Sequence, residues 1–360
     1  MKIHVLGIRN SFGINRIGGT DSIFRRLARV WIQQGHEVTF VHYGYRENRQ
    51  TRGWFGIQVR EFSRMSQVLD YLKTEAEIIV VNTIHRNDRL VFANFRRRWE
   101  SNKKFYIVYS LFRENPILRH IYFLESIVRP YRHGTLCVSP RLSRTLGRWR
   151  LNPHLVWPPV PRNFYCPTER KPPGGRLRVT YIGRTESGKG IEEVAGIFQR
   201  LRGDPRFKLE VHGYYFPEDG KAQVWHEWLK DQAWLDYHYQ EIQEWSPETE
   251  SKLAEHLHNS DILLLPYQKL SSSVDTPLLL IEGMAAGCCI LTRPLGDIPT
   301  VYGPSPLLIH DRDFAATAVR LLQTADQWVE DERDRVRAQV QSLRCDADTV
   351  ARQVLALMAN

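Results

Sequence analysis

Tyr181-Ile182-Gly183-Arg184-Thr185-Glu186-Ser187-Gly188-Lys189-Gly190 decides how this chain is read. The apolar run 177–182 stops at Gly183, two cations follow in a glycine-bearing loop, and residues 190–201 then carry apolar side chains at helical spacing. Strand, short loop and helix in that order form the unit from which parallel α/β sheets are built. A helix N-terminus approached through glycines offers unpaired N–H groups and the positive end of a dipole. With Arg184 as a bidentate donor and Lys189 as a compact charge, the loop suits a diphosphate. Spacing alone fits a solvated turn with two surface cations equally well.

The same alternation runs through the chain. Strands are expected at 2–6, 37–42, 78–81, 105–109 and 136–138, with helices at 21–34, 66–72, 89–99 and 117–128. The Pro-rich residues 157–161 and the Pro/Gly/charge-rich residues 168–176 are expected to link two domains. Strands then resume at 177–182, 207–212, 235–239, 262–266 and 289–292. Helices are expected at 190–201, 249–258, 277–286, 314–323, 325–343 and 347–358. Two open sheets in tandem bind ligands outside the carboxyl ends of their strands.

Two further segments carry chemistry. The buried-strand pattern 261–266 leads into Ser271-Ser272-Ser273-Val274-Asp275-Thr276-Pro277-Leu278, where Pro277 suits a first helical turn and Asp275 or Thr276 a cap. Glu282 then stands among apolar residues, where a carboxylate needs hydrogen-bond donors such as a ribose diol. An exposed face of an amphipathic helix is the other reading of that position. Near the N-terminus, Gly13, Gly18 and Gly19 follow the first strand without forming a dinucleotide or Walker fingerprint. Asp311-Arg312-Asp313 has the letters of a metal motif, but it directly precedes a helix, where Asp is a good N-cap. No metal site and no resident cofactor are expected. Trp225, Trp228 and Trp234 are read as packing.

Composition bounds the rest. The 360 residues are 42% hydrophobic and 25% charged, which excludes wholesale disorder and disulfide miniproteins. Five scattered cysteines read as reduced core residues, and no apolar run is long enough to span a bilayer. The N-terminus lacks the pattern of a signal peptide, so the expected location is cytoplasmic. Residues 1–170 hold 29 basic and 12 acidic side chains, a net +17, whereas residues 171–360 carry −7. A field of that sign attracts nucleic acid, an acidic membrane or a phosphorylated substrate.

Taken together, the motifs resemble the retaining GT-B glycosyltransferases of family four, the group 1 transferases. The resemblance rests on Gly183-Arg184…Lys189-Gly190, on Glu282-Gly283-Met284-Ala285-Ala286-Gly287, and on Gly18-Gly19 with Gly35-His36-Glu37-Val38-Thr39. It implies an α/β GT-B fold with two Rossmann-like domains facing each other across a cleft. Residues 1–160 would be the acceptor side and 161–346 the donor side, with the last helix (347–360) packing back on the first domain. It implies a nucleoside-diphosphate sugar as donor substrate, with Arg184 and Lys189 on the diphosphate as catalytic residues and Glu282 on the ribose. Gly18, Gly19, Gly183, Asp275, Thr276, Pro277 and Leu278 would also line the donor, with Gln240 and Ile242 near the base. Where the family has a first glutamate this chain has Val274, with Asp275 beside it. Its usual sugar-facing histidine is missing from Val108-Tyr109-Ser110-Leu111, which leaves His85, Ser110 and Arg113 as sugar or acceptor candidates.

The expected activity is retaining, metal-independent transfer of a hexosyl or deoxyhexosyl group to a glycan or lipid-linked acceptor. Cell-surface polysaccharide or glycoconjugate synthesis is its expected setting. The +17 half suggests an anionic acceptor or peripheral docking on the acidic inner face of a membrane. A basic nucleic-acid or membrane-surface binding protein and a sugar-nucleotide epimerase are the alternatives; under the leading reading no nucleic-acid partner is expected.

Overall fold

The computed structural model describes residues 1–8, 18–82, 86–112, 134–166, 175–215, 220–241, 245–270 and 274–359. The chain divides into two compact units, Met1–Pro159 with Cys345–Asn360, and Val160–Arg344. The helix expected at 117–128 lies outside the described residues.

In the first unit the described elements run β1 (Lys2–Ile8), α1 (Gly19–Gln33), β2 (Glu37–Tyr43), β3 (Arg49–Arg52), β4 (Gln58–Phe62), α2 (Met65–Glu75), β5 (Ile78–Val81), α3 (Arg89–Trp99), β6 (Lys104–Tyr109), β7 (Thr135–Cys137), α4 (Pro140–Arg148) and β8 (Pro153–Leu155). They form a sheet in the order β3-β4-β2-β1-β5-β6-β7-β8, parallel except for the β3–β4 pair. Its central strands are near-continuous apolar runs because helices cover both faces. Phe92 and Phe95 of α3 pack with Phe105, Leu72 and Val81 in one core, and Trp99 lies against it. The sequence pattern did not disclose the β3–β4 hairpin or α4. Arg49–Arg52 is exposed throughout and has no apolar alternation, whereas α4 carries a plain signal in Ser139, which accepts from the Leu142 amide, followed by Pro140.

The final helix, α12 (Ala347–Ala359), belongs to this first unit. Trp31, fully buried, donates its indole N–H to the Ala351 carbonyl at 3.2 Å. Tyr106 donates to the Leu357 carbonyl, and the Lys104 ammonium reaches the Met358 and Ala359 carbonyls at 2.9 and 2.7 Å. A cation on the last carbonyls of a helix offsets the negative end of its dipole.

This use of Lys104 corrects the reading of the basic excess as one anion-facing surface. Arg25, Arg26, Arg96 and Lys103 are buried. Arg25 donates to the Ser22 hydroxyl, and Lys103 to the Ala76 carbonyl. Arg26 donates to the Pro159 carbonyl at 3.0 Å. That bond falls within residues 157–161, expected as an extended linker, of which Pro158 to Pro161 are buried. The neighbouring cations Arg29, Arg97 and Arg98 are exposed instead.

The second unit runs β9 (Leu177–Arg184), α5 (Ile191–Leu201), β10 (Phe207–Tyr215), α6 (Gly220–Lys230), β11 (Asp236–Glu241), α7 (Pro247–Asn259), β12 (Ile262–Leu265), α8 (Leu278–Ala285), β13 (Cys289–Thr292), α9 (Ile298–Tyr302), α10 (Phe314–Gln323) and α11 (Val329–Leu343). Its all-parallel sheet has the order β11-β10-β9-β12-β13. Strand order therefore reverses between β9 and β12, the position where open α/β sheets bind ligands. The helix expected over 325–343 is broken at Trp328, after a short 3-10 turn. Asp261, just before β12, accepts from the Arg178 amide and from the buried Arg333 guanidinium, which ties α11 to the sheet.

Burial in the first unit has a pH consequence. His4 and His42 are both held down to about 4 by loss of hydration. Between that value and the ordinary 6.5 the unfolded chain binds protons that the folded chain does not. Stability is therefore full above pH 6.5 and falls as pH drops toward 4. The expected loss at pH 5 is up to about 2 kcal/mol per histidine. Thermal melts of the first unit's transition at pH 7.5, 6 and 5 should show this slope, and His42→Gln should flatten it.

Candidate active site

Both chemistry-bearing segments of the second unit lie at the β9/β12 switch point. β9 ends at Gly183 and Arg184, where the Tyr181 hydroxyl turns back to donate to the Arg184 carbonyl at 2.7 Å. Ser187–Lys189 forms one 3-10 turn, and Gly190, at φ +81°, opens α5. A Cβ on Gly190 would lie 2.1 Å from the Pro266 carbonyl oxygen at the end of β12. Only a residue without a side chain lets the two strand-end loops meet this closely. The contact sets Lys189 beside the residues that follow β12, with its ammonium 5.1 Å from the centre of the Tyr267 ring.

Arg184 is the more exposed cation and faces Glu186 at 3.1 Å. Burial, with the Arg184 charge adding to it, lowers the Lys189 ammonium to about 8. A bound dianion would relieve both effects, so the site favours a ligand that brings negative charge.

Glu282 is buried in α8, only 3% exposed. Its charge, second to burial, raises the hydroxyls of Tyr214 (to about 12) and Tyr267. These tyrosines, with Tyr181, ring the site; the sequence reading missed them because a Tyr at a strand end has the same pattern as core. After Glu282, Gly283 rests α8 closely on the sheet: a Cβ there would be 2.8 Å from the end of the Leu263 side chain and 3.3 Å from that of Ile290.

The expected cap of α8 is corrected. Pro277 holds the N-cap position in an extended conformation, and no side chain hydrogen-bonds there, so the helix starts at Leu278. Asp275 and Thr276 are buried just before it, and the Thr276 hydroxyl has no hydrogen-bond partner among the described residues. Gln240 lies on the exposed edge strand β11, in register with Tyr214 of β10; Ile242 lies outside the described residues.

The remaining candidates belong to the first unit. Gly18 is the N-cap of α1, where a Cβ would meet the Asp21 carboxylate at 2.2 Å. Gly19 begins the helix, and the next residue, Thr20, donates to the Ser110 hydroxyl at 2.7 Å, so Gly18, Gly19 and Ser110 share one locality. His85 and Arg113 lie outside the described residues. Asp313 caps α10 by accepting from the Ala316 amide at 2.9 Å, and Asp311 accepts from the Thr317 hydroxyl at 2.9 Å. Among the described residues, no group of three or more His, Cys, Asp or Glu is arranged to hold a metal ion, and no helix is long and apolar enough to cross a membrane.

Residues 176–326 match the family described as glycosyl transferases group 1. The matched span begins just before β9 and contains Arg184, Lys189 and Glu282. Comparison with curated proteins gives no match. Solved structures resemble the entire chain, glycosyltransferase domain included. HepE of Anabaena, in complex with UDP and glucose, has a TM-score of 0.72 at 12% identity, covering 100% of this chain and 99% of that one. The pneumococcal O-GlcNAc transferase GtfA, in complex with UDP and GlcNAc, has a TM-score of 0.69 at 9% identity, with 100% and 98% covered. WaaG, a glycosyltransferase involved in lipopolysaccharide biosynthesis, has a TM-score of 0.65 at 13% identity, with 100% of both chains covered. At these identities the likeness establishes the fold, GT-B with two Rossmann-like units.

Two outcomes follow from this geometry. Gly190→Ala forces the loop off Pro266 and is expected to destabilise the second unit by on the order of 3 kcal/mol, read by denaturant unfolding. Binding of a nucleoside diphosphate is expected to weaken as pH rises above about 8, where Lys189 loses its proton. Calorimetric titration from pH 7 to 9.5 should show the decline, and Lys189→Arg should abolish it because a guanidinium stays charged.

Proposed function

We propose that this chain is a retaining, metal-independent hexosyl- or deoxyhexosyltransferase that uses a nucleoside-diphosphate sugar. The observation that carries this reading is the placement of Arg184 and Lys189 at the switch point of a group 1 glycosyltransferase domain that also buries Glu282. As the bond between the anomeric carbon and the diphosphate breaks, negative charge grows on the departing oxygen. Arg184 and Lys189 meet that charge with donors already in place, the role a metal ion plays elsewhere. Glu282 accepts from the ribose hydroxyls, and the buried Thr276 hydroxyl supplies a donor and acceptor near the start of α8.

Retention follows from displacement on the donor's own face: the acceptor oxygen bonds to the anomeric carbon on the side the diphosphate leaves. The departing phosphate oxygen gains basicity in that step and accepts the acceptor's proton. Gly18, Gly19 and Ser110 of the first unit contribute on the sugar or acceptor side. The acceptor is a glycan or lipid-linked glycan of cell-surface polysaccharide or glycoconjugate synthesis. The outward Arg97 and Arg98 support an anionic acceptor or an acidic membrane face. HepE and GtfA were solved with UDP, which makes UDP the first nucleotide to test here.

A thermal-shift panel of nucleoside diphosphates should show stabilisation by one base, with UDP first. Transfer from the matching donor should persist in chelator. Arg184→Ala and Lys189→Ala are each expected to lower kcat/KM about ten- to hundredfold, the usual loss of a charge-assisted contact. No nucleotide response, or turnover that disappears in chelator and returns with magnesium, would overturn the corresponding part of the reading.

A further inference from the structure

Outside the switch point, one cavity has the chemistry of a binding site. It lies between α5 and α6, the helices that follow β9 and β10, and has a volume of about 350 Å³. That is at the small end of the range for small-molecule sites, ~300–1,000 Å³. One wall comes from α6. The inward residues of that helix, Ala222, His226 and Leu229, are buried, and His226 meets the Tyr237 hydroxyl at 2.8 Å. Trp225 and Trp228 sit on the flank instead, rings 5.8 Å apart and inclined at 73°. Both are only half-buried. They pack on each other at the rim of the cavity; Trp31, with no exposed surface, shows by contrast what a core indole looks like in this chain.

The opposite wall comes from α5. Glu192, Ala195, Gly196 and Gln199 line it from this side. Indole faces on one side with a carboxylate and an amide on the other make an unusual combination. Val224, exposed, lies beside the indoles, and Glu192 and Gln199 bring hydrogen-bonding groups to a lining that is otherwise apolar. A pyranose matches both walls: its axial C–H face stacks on an aromatic ring, and its hydroxyl rim donates to a carboxylate and exchanges hydrogen bonds with an amide. Glu192 is three residues beyond Lys189 and accepts from Gln268, so the groove adjoins the loops of the candidate active site without sharing their cations.

From this complementarity we infer that the α5/α6 groove is a second carbohydrate-binding site, one that holds a sugar unit of a glycan away from the reacting centre. The choice of occupant rests on the glycosyltransferase reading; the groove's own chemistry does not depend on it. A glycan held there stays tethered between turnovers, which raises its effective concentration at the site of transfer.

The test is saturation-transfer NMR on the full chain with maltohexaose, cellohexaose and N,N′,N″,N‴-tetraacetylchitotetraose as probes, each with and without saturating UDP. At least one probe should give signals that survive UDP and the Lys189→Ala substitution. Trp225→Ala and Trp228→Ala should each weaken that binding at least tenfold and leave UDP binding unchanged. Because a tryptophan replacement can disturb folding, Gln199→Ala, at an exposed position, serves as the control and should weaken binding several-fold at an unchanged melting temperature. The inference is overturned if no probe binds, if UDP or Lys189→Ala displaces the saccharide, or if nonyl maltoside and nonanol bind the groove equally well. Saccharide binding in a chain that responds to no nucleotide would leave the groove standing and remove the transferase reading instead.

Discussion

Gly190 against the Pro266 carbonyl is the contact on which the candidate active site depends. It is a steric permission: the loop leaving β9 and the loop leaving β12 approach each other because one position has no side chain and accepts a left-handed backbone. With that approach, cations from one loop stand beside the polar residues that follow the other strand. Neither loop alone brings a diphosphate-sized concentration of positive charge next to a buried carboxylate. The parallel sheet contributes the rest of the constraint, because its order reverses between β9 and β12, the place where open α/β sheets bind ligands.

Charge in this molecule divides into groups that meet solvent and groups that hold the fold. Arg333 is nearly fully buried and bonded to Asp261, and Arg26 is buried on the Pro159 carbonyl. Such guanidiniums are expensive to bury and persist because their donors are matched by oxygens. Lys189 is different. Its burial, reinforced by the Arg184 charge, leaves it poised near neutrality and improved by an incoming anion.

The second unit was legible because β12 and β13 are buried on both faces and read as unbroken apolar runs, Ile262–Leu265 and Cys289–Thr292. Arg184, Lys189 and Glu282 were legible because charged groups at strand ends and in apolar helices need a reason to be there. Other features left little trace. The edge strand β3 is all polar, and α11 begins only after Trp328, although the pattern before it stays helical. The close packing of Gly283 against Leu263 and Ile290 joins residues distant in sequence. The basic excess misled because a sum of charges has no address: Lys104 counts toward a surface field until its ammonium is found on the last carbonyls of α12.

That last helix has a consequence for how the chain is made. The first unit contains residues from both ends of the sequence, and Tyr106 meets Leu357 across 251 positions. The indole N–H of Trp31 and the cation of Lys104 have no native partners until the final residues exist. During synthesis the sheet of the first unit emerges early, yet it must wait, with the α1 surface around Trp31 uncovered, while the whole second unit is built. The second unit is continuous in sequence and can close first. The order of completion is therefore the reverse of the order of translation. A ribosome that stalls before residue 347 would leave a finished second unit joined to a first unit that still exposes part of its core.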